Sequence, residues 1–291
     1  MPENYPINQE ILANPDMTKK EFLRFSEFIQ NEFGIKMPES KSCMLKARLQ
    51  KRLRVLGLRT FTEYYNYVFS PEGRASELIH MIDAVTTNKT DFFREPSHFS
   101  FLLTDVLPEL VRLKAHHPRR IINVWSAGCS SGEEPYTIAM VLKTYGEDKY
   151  DFDFNIIASD ISTRVLEKAI LGIYELERVE PIPQEYKKKY LLRNKDPNKP
   201  LVRIIPSLRE KVEFRRLNLM DNDFGFSQKM DIIFCRNVII YFDRPTQEVL
   251  LNKFYNNLNK GGYVFLGHSE TLSGLAVPLV QVAPTVYRKN D

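Results

Sequence analysis

The feature that most constrains the fold is the alternation of short apolar runs with helical patterns beyond residue 86. Four apolar runs have the length of strands, and three segments have helical periodicity. The runs span 121–125, 154–159, 231–235 and 263–266, and the helical segments span 135–144, 163–171 and 246–258. This alternation predicts an α/β domain with a largely parallel, doubly wound sheet and right-handed crossovers.

The first 86 residues follow a different pattern, in which apolar residues from Phe22 to Phe33 recur at three- and four-residue steps. The segment 41–60 then carries seven basic and no acidic residues around a leucine stripe, and two more helices fit 62–69 and 74–85. We therefore predict an all-α domain with a basic helix over 1–86, followed by the α/β domain over 87–291.

One segment, 177–214, interrupts the α/β order. Its polar stretch 194–200 contains two prolines and has apolar residues on both sides, a pattern typical of a hairpin. We predict a small inserted β-subdomain there.

Composition narrows the cellular setting. A hydrophobic content of 43% suits a globular core, and no apolar run reaches the roughly 18 residues that a transmembrane helix needs. The start of the chain has no apolar signal core, and three widely spaced cysteines form neither a disulfide framework nor a metal cluster. The histidines, including the adjacent His116 and His117, lack metal-ligand spacing. We expect a cytoplasmic protein without a metal.

The stretch NVWSAGCSSGEEPYTIAM, 123–140, reads as a strand, a glycine turn and a helix start, where backbone N–H groups meet ligands. A P-loop is excluded because Gly132 is followed by Glu133 and Glu134 instead of lysine and a hydroxyl residue. A dinucleotide site would have an acid about 20 residues after its glycines. Asp160 lies 32 residues after Gly128, which is longer than that spacing. A cationic nucleoside without phosphates, S-adenosylmethionine (SAM), fits these charges better.

Side chains suited to such a ligand follow four predicted strands, and ligands bind beyond the carboxyl ends of strands in open α/β sheets. The four sets are Gly128 and Gly132 with Glu134 after 121–125, Asp160 for ribose hydroxyls after 154–159, Asn218 and Leu219 for adenine in a further strand-like run, VEFRRLNLMD (212–221), and Arg236 with Asn237 after 231–235.

Structural explanations exist for each of these residues taken alone. Two glycines after a strand often make only a tight turn. Asp160 is equally suited to cap the following helix, and Glu134 to favour a helix N-terminus. The agreement of all four strand ends favours the ligand site.

The chain resembles the CheR-type chemotaxis receptor methyltransferases from the basic helix through Arg288. The motifs that carry this resemblance are TTNKTDFFRE (86–95), VWSAGCSSGEEPY (124–136), ASDIS (158–162), LNL (217–219), FCRNVIIYFD (234–243) and GGYVFLGHSET (261–271).

The resemblance implies SAM-dependent methylation of chemoreceptor glutamates to γ-methyl esters, by a Rossmann-like methyltransferase domain with an inserted β-subdomain. The expected SAM-contacting residues are Gly128 of the turn and nine residues that the resemblance implies: Asn88, Thr90, Arg94, Glu134, Asp160, Asn218, Leu219, Arg236 and Asn237. Tyr241 is implied near the transferred methyl group. Arg94 is suited to orient a carboxylate, of either substrate or cofactor, so Arg94 and Tyr241 are the catalytic candidates.

The same resemblance implies that the basic helix docks on the acidic helical bundle of a receptor. The docking residues it implies are Arg48, Lys51, Arg52 and Arg54. In some relatives the β-subdomain also binds a receptor C-terminal peptide, but the turn 194–200 lacks the glycines of those relatives, so peptide binding stays open. We expect a monomer that binds neither nucleic acid nor the membrane interior.

The reaction needs no general base, because a glutamate side chain with a pKa of about 4.3 is ionised at neutral pH. Two rival functions remain. A basic helix also suits RNA phosphates, and a SAM-binding sensor without activity would share the fold. A sensor would be expected to have lost part of the turn, whereas Gly128, Gly132, Glu134 and Asp160 are all present.

Overall fold

The computed structural model describes residues 15–115, 120–149, 152–196 and 198–290. The chain divides into two compact units, Met1–Thr86 and Thr87–Asp291. His116 and His117 lie outside the described residues. Among those described, no helix has both the length and the apolar character required to cross a membrane.

The first unit is helical, as the periodicity predicts. Its four α-helices are α1 (Lys19–Phe33), α2 (Ser42–Leu56), α3 (Phe61–Val68) and α4 (Pro71–Val85). Thr18 and Glu21 form a capping box at the start of α1, and Gly57 ends α2 in the left-handed conformation. The leucine stripe of α2 forms part of the core, since Leu45 and Leu49 are fully buried.

The second unit is built on a seven-stranded sheet. Its strands are β1 (Ile121–Ala127), β2 (Asp153–Asp160), β6 (Val212–Arg216), β7 (Met230–Cys235), β8 (Leu258–Leu266), β9 (Leu279–Ala283) and β10 (Val286–Lys289). The strand order is β6-β2-β1-β7-β8-β10-β9, and the first five strands are parallel. The sequence did not predict the final antiparallel pair. Its connecting turn contains Thr285 at φ 57° instead of a glycine signal.

Seven α-helices occur among the described residues of this unit. They are α5 (Pro96–Phe101), α6 (Leu107–Leu113), α7 (Glu133–Lys149), α8 (Thr163–Leu171), α9 (Gln184–Tyr190), α10 (Pro206–Arg209) and α11 (Arg244–Asn257). A π-helical turn, Leu102–Val106, joins α5 to α6. Helices α7 and α8 pack against β2 and β6, and α11 packs against β8.

A separate three-stranded antiparallel sheet follows α8. Its strands are β3 (Ile173–Glu175), β4 (Leu191–Arg193) and β5 (Leu201–Ile204), in the order β3-β5-β4. The predicted hairpin is the antiparallel pair of β4 and β5. This small lobe begins and ends earlier than the expected 177–214, because β3 already pairs with β5 while β6 belongs to the large sheet.

The strand register brings the expected ligand residues to one edge. Asp160 pairs with Arg216 and Ser126 with Phe234, so β1, β2, β6 and β7 end at nearly the same level. In the sheet, β2 and β6 lie on one side of β1, whereas β7 and β8 lie on its other side. The strand order therefore reverses direction between β1 and β7, and this is the topological switch point. Open α/β sheets bind ligands at this position.

Candidate cofactor and active site

The turn after β1 is built from backbone contacts to the end of β2. The N–H groups of Gly128 and Cys129 both donate to the Ser159 carbonyl, at 2.8 and 2.9 Å. Gly128 has a φ of 81°, and a Cβ there would lie 2.5 Å from Cγ2 of Val238. Glycine is therefore required for two reasons: the backbone conformation, and close contact with the loop after β7.

Asp160 joins the turns after β1 and β2. Its Oδ2 accepts from the backbone N–H of Ser130 and its Oδ1 from that of Ser162, both at 2.9 Å. The carboxylate is buried, and the Asp160 carbonyl accepts from Leu217 N–H at 3.0 Å. Asp160 thus adjoins the segment containing Asn218 and Leu219, which are both partly buried. The Asn218 side chain accepts from Met220 N–H at 3.1 Å, which fixes the loop after β6.

Glu134 and Arg236 form a buried ion pair at the switch point. Nε of Arg236 donates to Oε2 of Glu134 at 2.7 Å, and the Ser126 hydroxyl donates to Oε1 at 2.6 Å. The side chains of Glu134 and Arg236 are only 9% and 2% exposed. The guanidinium also lies over the rings of Phe99 and Phe234. Because a buried charge is tolerated only when it is paired, each side chain of this pair depends on the other.

The loop after β7 is held by Glu270, a residue that sequence reasoning did not single out. Its carboxylate accepts from the N–H groups of Gly267, Asn237 and Ile240. Burial raises the pKa of Glu270, and these backbone donors oppose that rise. Asn237 adopts φ 61°, and a Cβ on Gly267 would lie 2.5 Å from its Nδ2. The buried Oδ1 of Asn237 accepts no hydrogen bond from any residue that the structure describes.

The segment 88–95 crosses the same edge of the sheet. The Ser130 hydroxyl donates to the Asn88 carbonyl at 2.9 Å, and Nη1 of Arg236 donates to the Arg94 carbonyl at 2.6 Å. The Arg94 side chain donates to the Lys89 carbonyl at 3.3 Å. Thr90 is buried. The segment therefore contacts both the glycine turn and the arginine of the loop after β7.

Backbone strain marks the same region. Among the described residues, five non-glycine residues have a positive φ: Phe93, Glu95, Ser130, Asn237 and Thr285. The first four belong to the segment and loops just described. The Thr285 hydroxyl is within hydrogen-bond distance of His98, which follows that segment. Such conformations are unfavourable by about 1–3 kcal/mol each and concentrate at functional sites.

Glu95, His98 and His268 form a cluster whose ligand-type atoms lie within 4.8 Å of one another. Sequence spacing did not predict it. Nη1 of Arg236 lies 3.6 Å from Glu95 Oε2 and 3.4 Å from His98 Nδ1, so a cation adjoins two members of this cluster. Nε2 of His98 lies 2.8 Å from the Thr285 hydroxyl, and Nδ1 lies 3.4 Å from both the Arg236 guanidinium and the Glu95 carboxylate.

The remaining catalytic candidate, Tyr241, ends a 3-10 turn, Ile239–Tyr241, directly after the Asn237 loop. Its side chain is partly buried, while the neighbouring Ile240 side chain is 46% exposed. The two cysteines near the site, Cys129 and Cys235, are buried, and burial raises the pKa of both thiols well above the ordinary range. They are therefore packing residues, as expected, and not nucleophiles.

The basic side chains of helix α2 fall into two groups. Arg52 donates two hydrogen bonds to the buried Glu77, at 2.8 and 2.7 Å, and Arg48 donates to the Val85 carbonyl at 2.5 Å. Lys51 and Arg54 are exposed. The expected docking set is therefore not uniform, because Arg48 and Arg52 already bind groups within the helical unit.

Comparison with known proteins identifies the class to which this geometry belongs. Residues 20–86 match the family model described as CheR methyltransferase, all-alpha domain, and residues 88–287 match CheR methyltransferase, SAM binding domain. The chain belongs to the CheR methyltransferase family. It is a SAM-dependent methyltransferase, and its fold is the expected one.

Relatives match over nearly the whole chain. The chemotaxis protein methyltransferase of Borreliella burgdorferi is 44% identical over 95% of this chain and 96% of its own length. Chemotaxis protein methyltransferase 2 of Pseudomonas aeruginosa is 41% identical over 93% of both chains. The Escherichia coli chemotaxis protein methyltransferase is 39% identical over 91% of this chain and 89% of its own.

The residues at the sheet edge suit SAM chemically. A positively charged ligand is compatible with two buried carboxylates, Glu134 and Asp160, at the switch point. The buried Oδ1 of Asn237 is an acceptor suited to an ammonium or hydroxyl group.

Proposed function

We propose that this CheR family member transfers the methyl group of SAM to glutamate side chains of chemoreceptors, forming γ-methyl esters in chemotactic adaptation. The observation that supports this is the match of both family models, in order, over 20–86 and 88–287. The relatives with that organisation are named as chemotaxis protein methyltransferases.

The proposed cofactor contacts follow from the four strand ends and, for the segment 88–95, from the resemblance to the family. Asp160 accepts from the ribose hydroxyls, and Asn218 and Leu219 hold the adenine. The remaining proposed SAM contacts are Asn88, Thr90, Arg94, Gly128, Glu134, Arg236 and Asn237. The buried Arg236–Glu134 pair keeps these groups in fixed positions. If either side chain moved away, the other would stay buried as an unpaired charge, which is unfavourable.

The proposed chemistry requires little proton transfer. SAM supplies an electrophilic methyl group on a sulfonium, and an ionised glutamate oxygen is already a competent nucleophile. The residues of the chain therefore align the carboxylate and exclude water from it, which favours a reaction that neutralises both charges. Arg94 is proposed to bind and orient a carboxylate, and Tyr241 is proposed to lie beside the transferred methyl group.

The proposed partner is the acidic helical bundle of a chemoreceptor in the cytoplasm, bound by a monomeric enzyme. Within the helical unit, the exposed Lys51 and Arg54 of α2 are the strongest docking candidates. Arg48 and Arg52 also belong to the proposed docking set, although their bonds to the Val85 carbonyl and to Glu77 give them a structural role as well.

The deciding experiment is transfer of a labelled methyl group from SAM to a purified receptor cytoplasmic fragment, followed by mild alkali. We expect the label to be released as methanol, since carboxyl methyl esters are alkali-labile. The matched substrate is the same fragment with its candidate glutamates replaced by alanine, which should accept no label.

Other outcomes are equally informative. Label that stays bound in alkali would assign a nitrogen or other stable acceptor and overturn ester formation. SAM binding without transfer to any receptor fragment, together with transfer to RNA, would favour nucleic acid as the substrate.

A further inference from the structure

Two side chains from the small lobe reach the proposed cofactor site. Tyr174 lies on β3, and Arg178 lies in the 3-10 turn Leu176–Val179 that follows. Sequence reasoning assigned neither residue a role. Both contact the glycine turn after β1, and both also contact the segment 88–95.

Tyr174 fixes the far side of the glycine turn. Its hydroxyl donates to the Ser131 carbonyl at 2.7 Å, and its ring packs edge-on against Phe92, with ring centres 4.9 Å apart. A Cβ on Gly132 would lie only 2.8 Å from the tyrosine oxygen. The turn can therefore approach β3 only because residue 132 is glycine.

Arg178 joins three acceptors with one guanidinium. Nη2 donates to Oε1 of Glu133 at 2.6 Å and to the Thr90 carbonyl at 2.7 Å. Nη1 donates to Oδ1 of Asp91 at 3.2 Å. The Glu133 side chain is only 1% exposed, and its other oxygen accepts from the Ser131 hydroxyl.

These contacts connect two backbone segments that contribute separate SAM contacts. Glu133 begins α7 beside Glu134, and Thr90 lies between Asn88 and Arg94. A planar guanidinium with several fixed donors can hold a carboxylate and a carbonyl in one geometry, whereas an ammonium cannot do so equally well. The lobe therefore adds a second connection between the two segments, beside the direct bond from the Ser130 hydroxyl to the Asn88 carbonyl.

We propose that Arg178 and Tyr174 are positioning residues for the cofactor, which hold the Thr90 segment and the turn 128–133 in the geometry that binds SAM. This rests on the SAM contacts proposed above. Neither residue needs to touch SAM, and neither takes part in methyl transfer. Their removal leaves the contacting groups in place but no longer preorganised, so affinity falls more than turnover.

The test is Arg178→Met in the full chain, with SAM affinity measured by calorimetry and methyl transfer measured at saturating SAM. We expect the Kd for SAM to rise about tenfold, with kcat and the KM for the receptor changed less than about threefold. Arg178→Lys should recover part of the affinity. Tyr174→Phe, which removes one hydroxyl, should raise the Kd about threefold.

Lys189→Met is the matched control. Lys189 of α9 pairs with Glu147 near the other end of α7, so this variant removes a second ion pair between the lobe and the same helix. Its SAM affinity should equal that of the wild type. An equal loss of affinity in Lys189→Met would overturn the positioning role, since any loosening of the lobe would then suffice.

A double variant, Arg178→Met with Glu133→Gln, distinguishes positioning from simple charge neutralisation. Removing both charges should restore thermal stability, because no buried carboxylate stays unpaired. The Thr90 carbonyl still lacks its Arg178 donor, so the affinity for SAM should stay low. Full recovery of SAM affinity would show that Arg178 is only a counter-ion for Glu133 and would overturn the proposal.

The proposed cofactor site itself is tested by Asp160→Ala in the same series. If Asp160→Ala weakens SAM binding and Arg178→Met does not, the positioning role fails while the site stands. If neither variant changes the Kd, Asp160 is not a SAM contact and the positioning role of Arg178 is wrong as well.

Discussion

Arg52 and Arg236 form ion pairs of equal length in two different surroundings. Arg52 of the helical unit lies 2.7 Å from Glu77, and Arg236 of the sheet edge lies 2.7 Å from Glu134. The Arg52 side chain is 20% exposed, whereas that of Arg236 is 2% exposed. Arg236 also contacts the Arg94 carbonyl and the His98 ring.

The difference shows how burial changes what a charged residue does. In the helical unit, one arginine neutralises one buried acid, while Lys51 and Arg54 of the same helix are exposed. At the sheet edge, the same type of residue organises several loops, and the proposed site consists of those loops. Distance alone does not distinguish the two roles, but the number of buried groups that depend on each arginine does.

Replacing each arginine by methionine should give the largest difference between the two regions. We expect Arg236→Met to destabilise its unit by about 3–5 kcal/mol, because Glu134 stays buried without its counter-ion. Arg52→Met should destabilise the helical unit by about 1–3 kcal/mol, since it leaves only Glu77 without its counter-ion, whereas Arg236→Met also removes the donor to the Arg94 carbonyl and the cation beside Glu95. Urea unfolding followed separately for the two units measures both.

The exposed pair of Arg215 and Glu213 provides the control for this comparison. Arg215→Met should change stability by less than about 0.5 kcal/mol. Equal destabilisation by Arg236→Met and Arg52→Met would contradict the distinction between the two surroundings.

Two glycines with the same backbone conformation extend the comparison. Gly57 ends α2 at φ 68° with no atom within 4 Å of a built Cβ, while Gly128 has φ 81° and a Cβ 2.5 Å from Val238. Gly57→Ala should destabilise by about 1 kcal/mol from backbone strain alone. Gly128→Ala adds overpacking and should reach about 3 kcal/mol, with weakened SAM binding. Thermal unfolding and calorimetry measure these effects, and equal values for the two alanine variants would mean that Val238 simply moves aside.

The buried His98 predicts a pH dependence of stability at the sheet edge. Burial and then the charge of Arg236 lower its pKa to about 4, with His268 adding to this and Glu95 opposing it. The unfolded chain therefore binds more protons than the folded chain between about pH 6.5 and pH 4, so stability is lost as pH falls through that window.

Between pH 7 and pH 5 the loss should be about 1–2 kcal/mol for the second unit. His98→Gln should remove this part of the slope, whatever its effect at pH 7. An unchanged slope of stability with pH in the variant would assign the acid sensitivity to other groups.

Charge reversal on α2 should have the smallest effect on the fold and a selective effect on activity. Lys51→Glu with Arg54→Glu should raise the KM for the receptor about tenfold, more strongly at low salt, and leave the Kd for SAM unchanged. Lys20→Glu with Lys36→Glu makes the same charge change at exposed positions outside α2. If both double variants raise KM equally, net charge and not the helix surface explains receptor affinity.

Local sequence determined most of the element types. The repeat of apolar residues predicted α1 to α4 and the parallel strands, because period and length alone distinguish a half-buried helix from a buried strand. Residue 163 to residue 171 was predicted as a helix, and α8 has those limits. The strands β9 and β10 and the π-helical turn escaped prediction. Their sequences lack glycine turn signals and regular periodicity, and contacts with β8 and with neighbouring turns stabilise them instead.

The candidate site was only partly predictable, for the same reason. Glu134, Asp160, Arg236 and Asn237 follow predicted strand ends, and the parallel register brings them to one edge. Glu270 lies within the motif 261–271 and His98 just after the motif 86–95, but neither was singled out, while Arg178 had no comparable signal because it reaches the site from the small lobe. Likewise, nothing in the basic run distinguished Arg52, which binds Glu77, from the exposed Lys51.

The sequence by itself thus determined the two-part organisation, the strand ends that carry the chemistry and the sign of charge at each of them. Those properties depend on periodicity and residue type, which are local. Only the tertiary structure decided which charges are paired, which backbone groups the carboxylates accept from and which cations face solvent. These depend on burial, and burial arises when segments distant in the chain exclude water from one another.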